Sequence, residues 1–219
     1  MISLEPSQDD ILRQVFQPFM GNGLIPSSYL IDCILAFMNT LQIHDQPLDR
    51  RIETLLVTLY LDSQLHSDLY QLIQMEIIRP SVIIAKLCLS HTKAFQPFLE
   101  MGIEMLDRLD SREDVTACML VHNMVIRVIE YALRHDRLQS LSPVTLLDKA
   151  YNTGNNTLFL NVYRVLEDHC LIPHPALIDM GMVSSDGRTH NQARLKRFVS
   201  VFRELWGPQI EMQGLVNVE

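Results

Sequence analysis

Apolar residues recur at helical spacing along almost the whole chain, and prolines fall between those stretches rather than inside them. A proline within a helix removes a backbone hydrogen bond and clashes with the preceding turn, so this placement reads as punctuation between helices. Ser7 is positioned to cap a first helix carrying Ile11 to Phe19, stopping at Gly21-Asn22-Gly23. A second starts near Ser27, and a third follows Pro47 as a first-turn proline. Leu65 to Ile78 makes a fourth stripe, Pro80 opens Val82–Leu89, and Pro97 begins a helix through Leu109.

Val115, Cys118, Met119, His122, Val125, Ile126, Ile129 and Leu133 keep one face together, as one long helix or two with a break near His122-Asn123. Ser142-Pro143 is a cap followed by a first-position proline. Residues 158–166 carry a broad apolar face, Pro173–Asn191 reads as a loop, and a last helix carries Leu195 to Trp206 before Gly207-Pro208. No convincing strand pattern is present. The expectation is an all-α, α-solenoid-like stack of antiparallel helical hairpins, about ten helices in one domain over 1–219.

The stretch TGNNTLFLNVYRVLE, residues 153–167, admits three readings. A phosphate loop needs more glycines, a following lysine in the Walker pattern and a strand in front; here one glycine follows a helix. Asn155-Asn156-Thr157 fits a glycosylation acceptor, but MISLEPSQDD has neither the positive flank nor the apolar run of a secretory signal. The inter-helix turn accounts for every residue: Gly154 takes positive φ at a helix end and Asn155 or Asn156 caps the next helix.

The chain carries 18 basic and 26 acidic residues, a net charge of −8. That argues against nucleic acid or an anionic membrane surface as the main partner of the chain as a whole. The longest apolar run, Tyr29–Leu41, is too short to span a bilayer. Cys33, Cys88, Cys118 and Cys170 each lie in apolar stretches with no C-x-x-C spacing, and are read as reduced, buried thiols. Cys88/His91 and Cys118/His122 could together supply four zinc ligands, but structural zinc sites use tighter cysteine spacing, so core thiols are the expectation. Glu100 and Glu104 read as a solvated face near Arg108; a di-iron bundle would need Glu-x-x-His motifs, which are absent. With no nucleophile elbow either, no catalytic residue, cofactor or metal is assigned.

The last helix is the strongest candidate for contact. Its apolar residues span an arc of roughly 120°, and Arg194, Lys196, Arg197 and Arg203 lie outside it. Either it lies on anionic lipid, or it docks on the stack with a basic outer face; an aromatic stripe of this kind favours docking. Arg194, Arg197 and Arg203 are the candidate partner or membrane contacts.

The run Leu146-Leu147-Asp148-Lys149-Ala150, then Leu158-Phe159 and Val162 to Glu167, resembles the C-terminal helical domain of the Bulli family, also called the regulator of the Mon–Ccz complex or the colon-cancer-associated Mic-like domain. The closing Phe198–Gly207 stretch does so too, and the resemblance is clearest over residues 80–207. It implies a non-catalytic scaffold, the accessory subunit of the Mon–Ccz guanine-nucleotide exchange complex that activates the late-endosomal Rab GTPase in endosome maturation and autophagy. It further implies that this chain is the C-terminal part of a longer protein with an N-terminal β-propeller. The implied partner is the Mon–Ccz heterodimer, and the implied location the cytoplasm with recruitment to late endosomes and lysosomes through partners. The alternatives are a helical-repeat subunit of another vesicle-tethering or coat complex, or a helical-bundle enzyme.

Overall fold

The computed structural model describes residues 7–20, 24–172 and 194–205, all of whose regular structure is helical. The helices are α1 (Gln8–Ile11), α2 (Ser27–Ile43), α3 (Arg50–Asp62), α4 (His66–Gln74), α5 (Val82–Ser90), α6 (Pro97–Arg108), α7 (Arg112–Val121), α8 (Val125–Arg134), α9 (Pro143–Asn152) and α10 (Asn156–Asp168). A further helix, α11, spans 194–205. Among the described residues there is no strand. None of the described helices is long and apolar enough to cross a membrane.

The chain divides into two compact units, Met1–Val115 and Thr116–Glu219. In the first, α3 is the central helix and packs against α2, α4 and α5, while α5 packs on α6. Ile52, Leu56 and Val57 of α3 are fully enclosed. In the second, α8, α9 and α10 pack on one another, with Val128, Leu146, Leu147, Phe159 and Leu166 buried between them.

Local chemistry sets the helix starts. Ser7 forms a capping box with Asp10: its hydroxyl accepts from the Asp10 amide at 3.1 Å, and the Asp10 carboxylate accepts from the Ser7 amide at 3.2 Å. Ser81 and Ser142 cap α5 and α9 the same way from their hydroxyls. Two starts differ from the sequence expectation. The first segment is not one α-helix: after α1 the backbone widens to a π-helical turn over Leu12–Phe16, then tightens to 3-10 geometry over Gln17–Phe19. Pro18 is the physical reason, since it offers no N–H and its ring crowds the carbonyl four residues earlier. Pro47 does not open α3, because the Asp49 side chain caps it through the Arg51 amide. The Gln8 amide instead clamps this approach, donating to the Pro47 carbonyl at 2.7 Å and accepting from the Asp49 amide at 2.8 Å.

Seven of the described helix ends share one device. Seven described non-glycine residues take left-handed φ between 50° and 59°: Asp45, Gln64, Glu76, Asp110, Asn123, Asp136 and Cys170. Each sits just past a helix and closes a Schellman pair of hydrogen bonds. After α3, for example, the Gln64 amide donates to the Leu61 carbonyl at 3.1 Å and the Leu65 amide to Tyr60 at 3.0 Å. After α7, Asn123 donates to Leu120 and Met124 to Met119, which resolves the 115–133 stretch into two helices with the break at 122–124. Gly154, at φ 69°, also turns left-handed before α10, but its end differs: the Gly154 amide donates to the Tyr151 carbonyl at 3.0 Å and the Asn155 amide to Thr153 Oγ1 at 3.2 Å. The Asn155 side chain then caps α10 from the Leu158 amide at 3.1 Å.

The cysteine expectation holds in part. All four thiols are free, but only Cys88 is buried; Cys33 and Cys118 are half-buried and Cys170 is exposed. Cys170 lies past the end of α10 in the left-handed turn, so its side chain is carried off the apolar face. Burial pushes the Cys88 thiol up to about 12.

Among the described residues of the first unit, one charge is buried. Glu53 of α3 is 1% exposed, and its carboxylate accepts from the Arg79 Nε at 3.0 Å and the Arg79 amide at 3.3 Å. Arg79 also donates to the Leu48 carbonyl at 2.9 Å, tying the connection after α4 to the one before α3. A buried carboxylate needs such satisfaction, because an unpaired charge in an apolar interior costs several kcal/mol.

Candidate docking face on the terminal helix

An aromatic cluster holds α11 in the second unit. Phe198, Val199 and Phe202 are buried at 3–5% exposure. The Phe202 ring stacks on Tyr163 of α10 at 4.4 Å between centroids, and Phe198 meets Phe159 at 5.9 Å and Tyr151 of α9 at 6.2 Å. Tyr151 and Phe159 also meet edge-on at 6.0 Å. Aromatic contacts of this kind contribute beyond the area they bury, so α11 is a docked element, as its aromatic spacing predicted. Trp206, expected to continue the stripe, lies outside the described residues, as do the 173–191 loop and Gly207-Pro208.

The three candidate arginines do not form one patch. At 100° per residue, Arg194 and Arg197 fall on one flank of α11, and Arg203 falls with Lys196 on the opposite flank. The first flank is turned toward α9. Arg194 Nη1 reaches the Asp148 carboxylate at 3.1 Å, and the Arg197 guanidinium lies 5.6 Å from the Tyr151 ring centroid. Both arginines stay largely exposed, so each contact fastens the helix weakly while leaving charge toward solvent. Arg203 is exposed and acts electrostatically on the buried Tyr163 hydroxyl. Burial raises that hydroxyl well above the usual tyrosine range, Glu167 raises it further and Arg203 opposes both. Asp148 and Tyr151 are neighbours of these arginines that sequence spacing did not flag, since both belong to α9 and meet α11 only through the fold.

The other chemical candidates stay apart. Among the described residues, no three His, Cys, Asp or Glu side chains come together as a metal site. His91 Nδ1 lies 3.0 Å from the Leu87 carbonyl of its own helix, and Glu104 pairs with Arg108 at 2.7 Å on a solvated face.

Fold and surface together define an all-helical module with a basic, docked terminal helix. The chain belongs to the family described as regulator of MON1-CCZ1 complex, C-terminal, whose pattern matches residues 6–171. The match covers α1 to α10, including the N-terminal half where the motif resemblance was weaker, and stops before α11. A Dictyostelium discoideum protein named regulator of MON1-CCZ1 complex homolog is 27% identical over 165 residues, covering 69% of this chain and 17% of its own length. The Mus musculus regulator of MON1-CCZ1 complex is 24% identical over 161 residues, covering 73% of this chain and 24% of its own. The Homo sapiens protein of the same name is 22% identical over 161 residues. The chain thus spans about a quarter or less of the length of these relatives.

Proposed function

We propose that this chain is a non-catalytic helical module of an accessory subunit of the MON1-CCZ1 complex. The family match over 6–171 carries this reading. The helical architecture supports it, since stacked helices expose extended faces for protein contacts. The finer reading is that the complex is a guanine-nucleotide exchange factor for the late-endosomal Rab GTPase. The chain then serves it as a scaffold, in the cytoplasm and on late-endosomal and lysosomal membranes reached through its partners. The two basic flanks of α11, Arg194 and Arg197 on one and Arg203 on the other, are the proposed contacts on the second unit. Purified chain mixed with MON1–CCZ1 should co-elute in size-exclusion chromatography and alter exchange on the Rab without exchanging nucleotide itself. Exchange catalysed by the chain alone, or failure to associate both alone and within the longer protein, would overturn this reading.

A further inference from the structure

The first unit contains an open groove of about 580 Å³, bounded by the connection after α2 and the connection after α4. Met38 and the buried Glu53 form its floor, and Leu35 and Leu72 line its walls. Its rim is apolar yet solvated: Met75 is 71% exposed and Ile77 44% exposed. Arg79 satisfies one oxygen of the Glu53 carboxylate, Oε1, and the amides of Asn39, Gln42 and Gln46 share the lining. What the groove offers is apolar surface and an electronegative frame.

Three features set that sign. Two helices end here, α2 at Ile43 and α4 at Gln74, and a helix C-terminus carries the negative end of its dipole. Glu76 stands exposed on the rim, its nearest cation being Arg108 at 3.9 Å. The opposing positive features are already engaged. The N-terminus of α3 is closed by the Asp49 side chain, and Arg79 donates to Glu53 and the Leu48 carbonyl. The surrounding unit repeats the bias, with 16 acidic and 8 basic residues over 1–115 against ten of each over 116–219.

We propose that this groove docks a basic amphipathic helix of a partner protein. Apolar side chains of that helix enter between Met75 and Ile77, and its lysines or arginines reach the two helix ends and Glu76. Charge complementarity selects the occupant; a helix laid in a groove with apolar anchors is an established recognition mode, and an unbranched methionine at the rim adapts to the anchor it meets. The assignment stands apart from the MON1-CCZ1 reading and does not depend on it.

The test uses the whole chain and a fluorescent amphipathic peptide of about 14 residues, leucines at i, i+3, i+4 and i+7 with lysines elsewhere, beside its glutamate counterpart. At about 0.15 M salt, the lysine peptide should bind at least about tenfold more tightly than the glutamate peptide. Glu76→Lys should weaken it by about tenfold, and so should Met75→Ser with Ile77→Ser. Asp62→Lys makes the same charge change roughly 14 Å further along α3 from Glu53 and should leave binding within about twofold. Circular dichroism on each variant confirms the fold. Equal losses from Glu76→Lys and Asp62→Lys, or no loss from the double serine variant, would overturn the proposal. So would a dimer in sedimentation that the double serine variant dissolves, which would assign the groove to a second copy of the chain.

Discussion

Tyr163 and Phe202 lie face to face, ring centroids 4.4 Å apart and planes 23° from parallel, with both side chains at most 5% exposed. Together with Phe198 against Phe159, this contact joins α11 to α10 and makes the terminal helix part of the core rather than an appendage. Phe202→Ala should therefore cost about 3–5 kcal/mol, the range for truncating a buried aromatic. Arg194→Glu exchanges a half-exposed ion pair with Asp148 for a solvent-screened like-charge pair, Arg197→Glu removes a ring contact, and each should cost about 1 kcal/mol. Denaturant unfolding separates the two classes. If Phe202→Ala left stability unchanged, the docked reading of α11 would be wrong.

The left-handed helix ends provide a second prediction. An L-residue there costs about 1–2 kcal/mol, while glycine gives back about 0.5–1 kcal/mol as unfolded-chain entropy. Gln64→Gly should thus stabilise by about 0.5–1 kcal/mol, and Gln64→Val should destabilise, because a branched Cβ suits this region least. Gly154→Ala should cost about 1 kcal/mol by conformation alone, as no atom lies within 4 Å of the added Cβ. Melting curves of the three variants should keep that order.

Why the sequence revealed some ends and not others follows from the same turns. Gly154 was legible because glycine advertises positive φ; Asp45, Asp110, Asn123 and Asp136 carry a weaker form of that signal, and Gln64 and Glu76 advertise nothing, since hydrogen bonds between backbone groups define their turns. Helix existence was legible throughout because apolar spacing is local. The interrupted first helix was written there too, in Pro18, the proline that falls inside an apolar stretch rather than between two. On the candidate site, the aromatic stripe of α11 predicted its docking, but Asp148 and Tyr151 become neighbours of Arg194 and Arg197 only after α9 and α11 pack. Buried Glu53 was missed because its partner, Arg79, lies 26 residues away.

Gly102 supports a third prediction, one of sign. A Cβ there would fall 2.6 Å from Leu89 Cγ, where α6 meets α5. The clash should cost about 1–3 kcal/mol, against a gain of about 1 kcal/mol from alanine's helix propensity. Gly102→Ala should be neutral to destabilising in the native background and stabilising in a Leu89→Ala background. A double-mutant cycle by denaturant unfolding reads the reversal.

The thiols supply a fourth. Thiolate is the reactive form, so iodoacetamide at neutral pH should label exposed Cys170 first and spare Cys88 until the chain unfolds, with mass spectrometry locating the adduct. The Cys88 pKa rises from 9.0 to about 12 on burial. Its folded value is the higher one, so its contribution to stability is complete below pH 9 and disappears as pH climbs toward 12. Cys88→Ala should flatten that alkaline limb of the stability profile.

Helix ends written in backbone hydrogen bonds also bear on divergence. The Schellman pair needs an amide and a carbonyl, which every residue at those seven positions supplies, and a side chain there costs about 1–2 kcal/mol. Substitutions can accumulate at the connections without redirecting the chain, provided the apolar stripes between them persist. Seven such reversals give this fold a route that tolerates drift, consistent with relatives that share only about a quarter of their aligned residues with this chain.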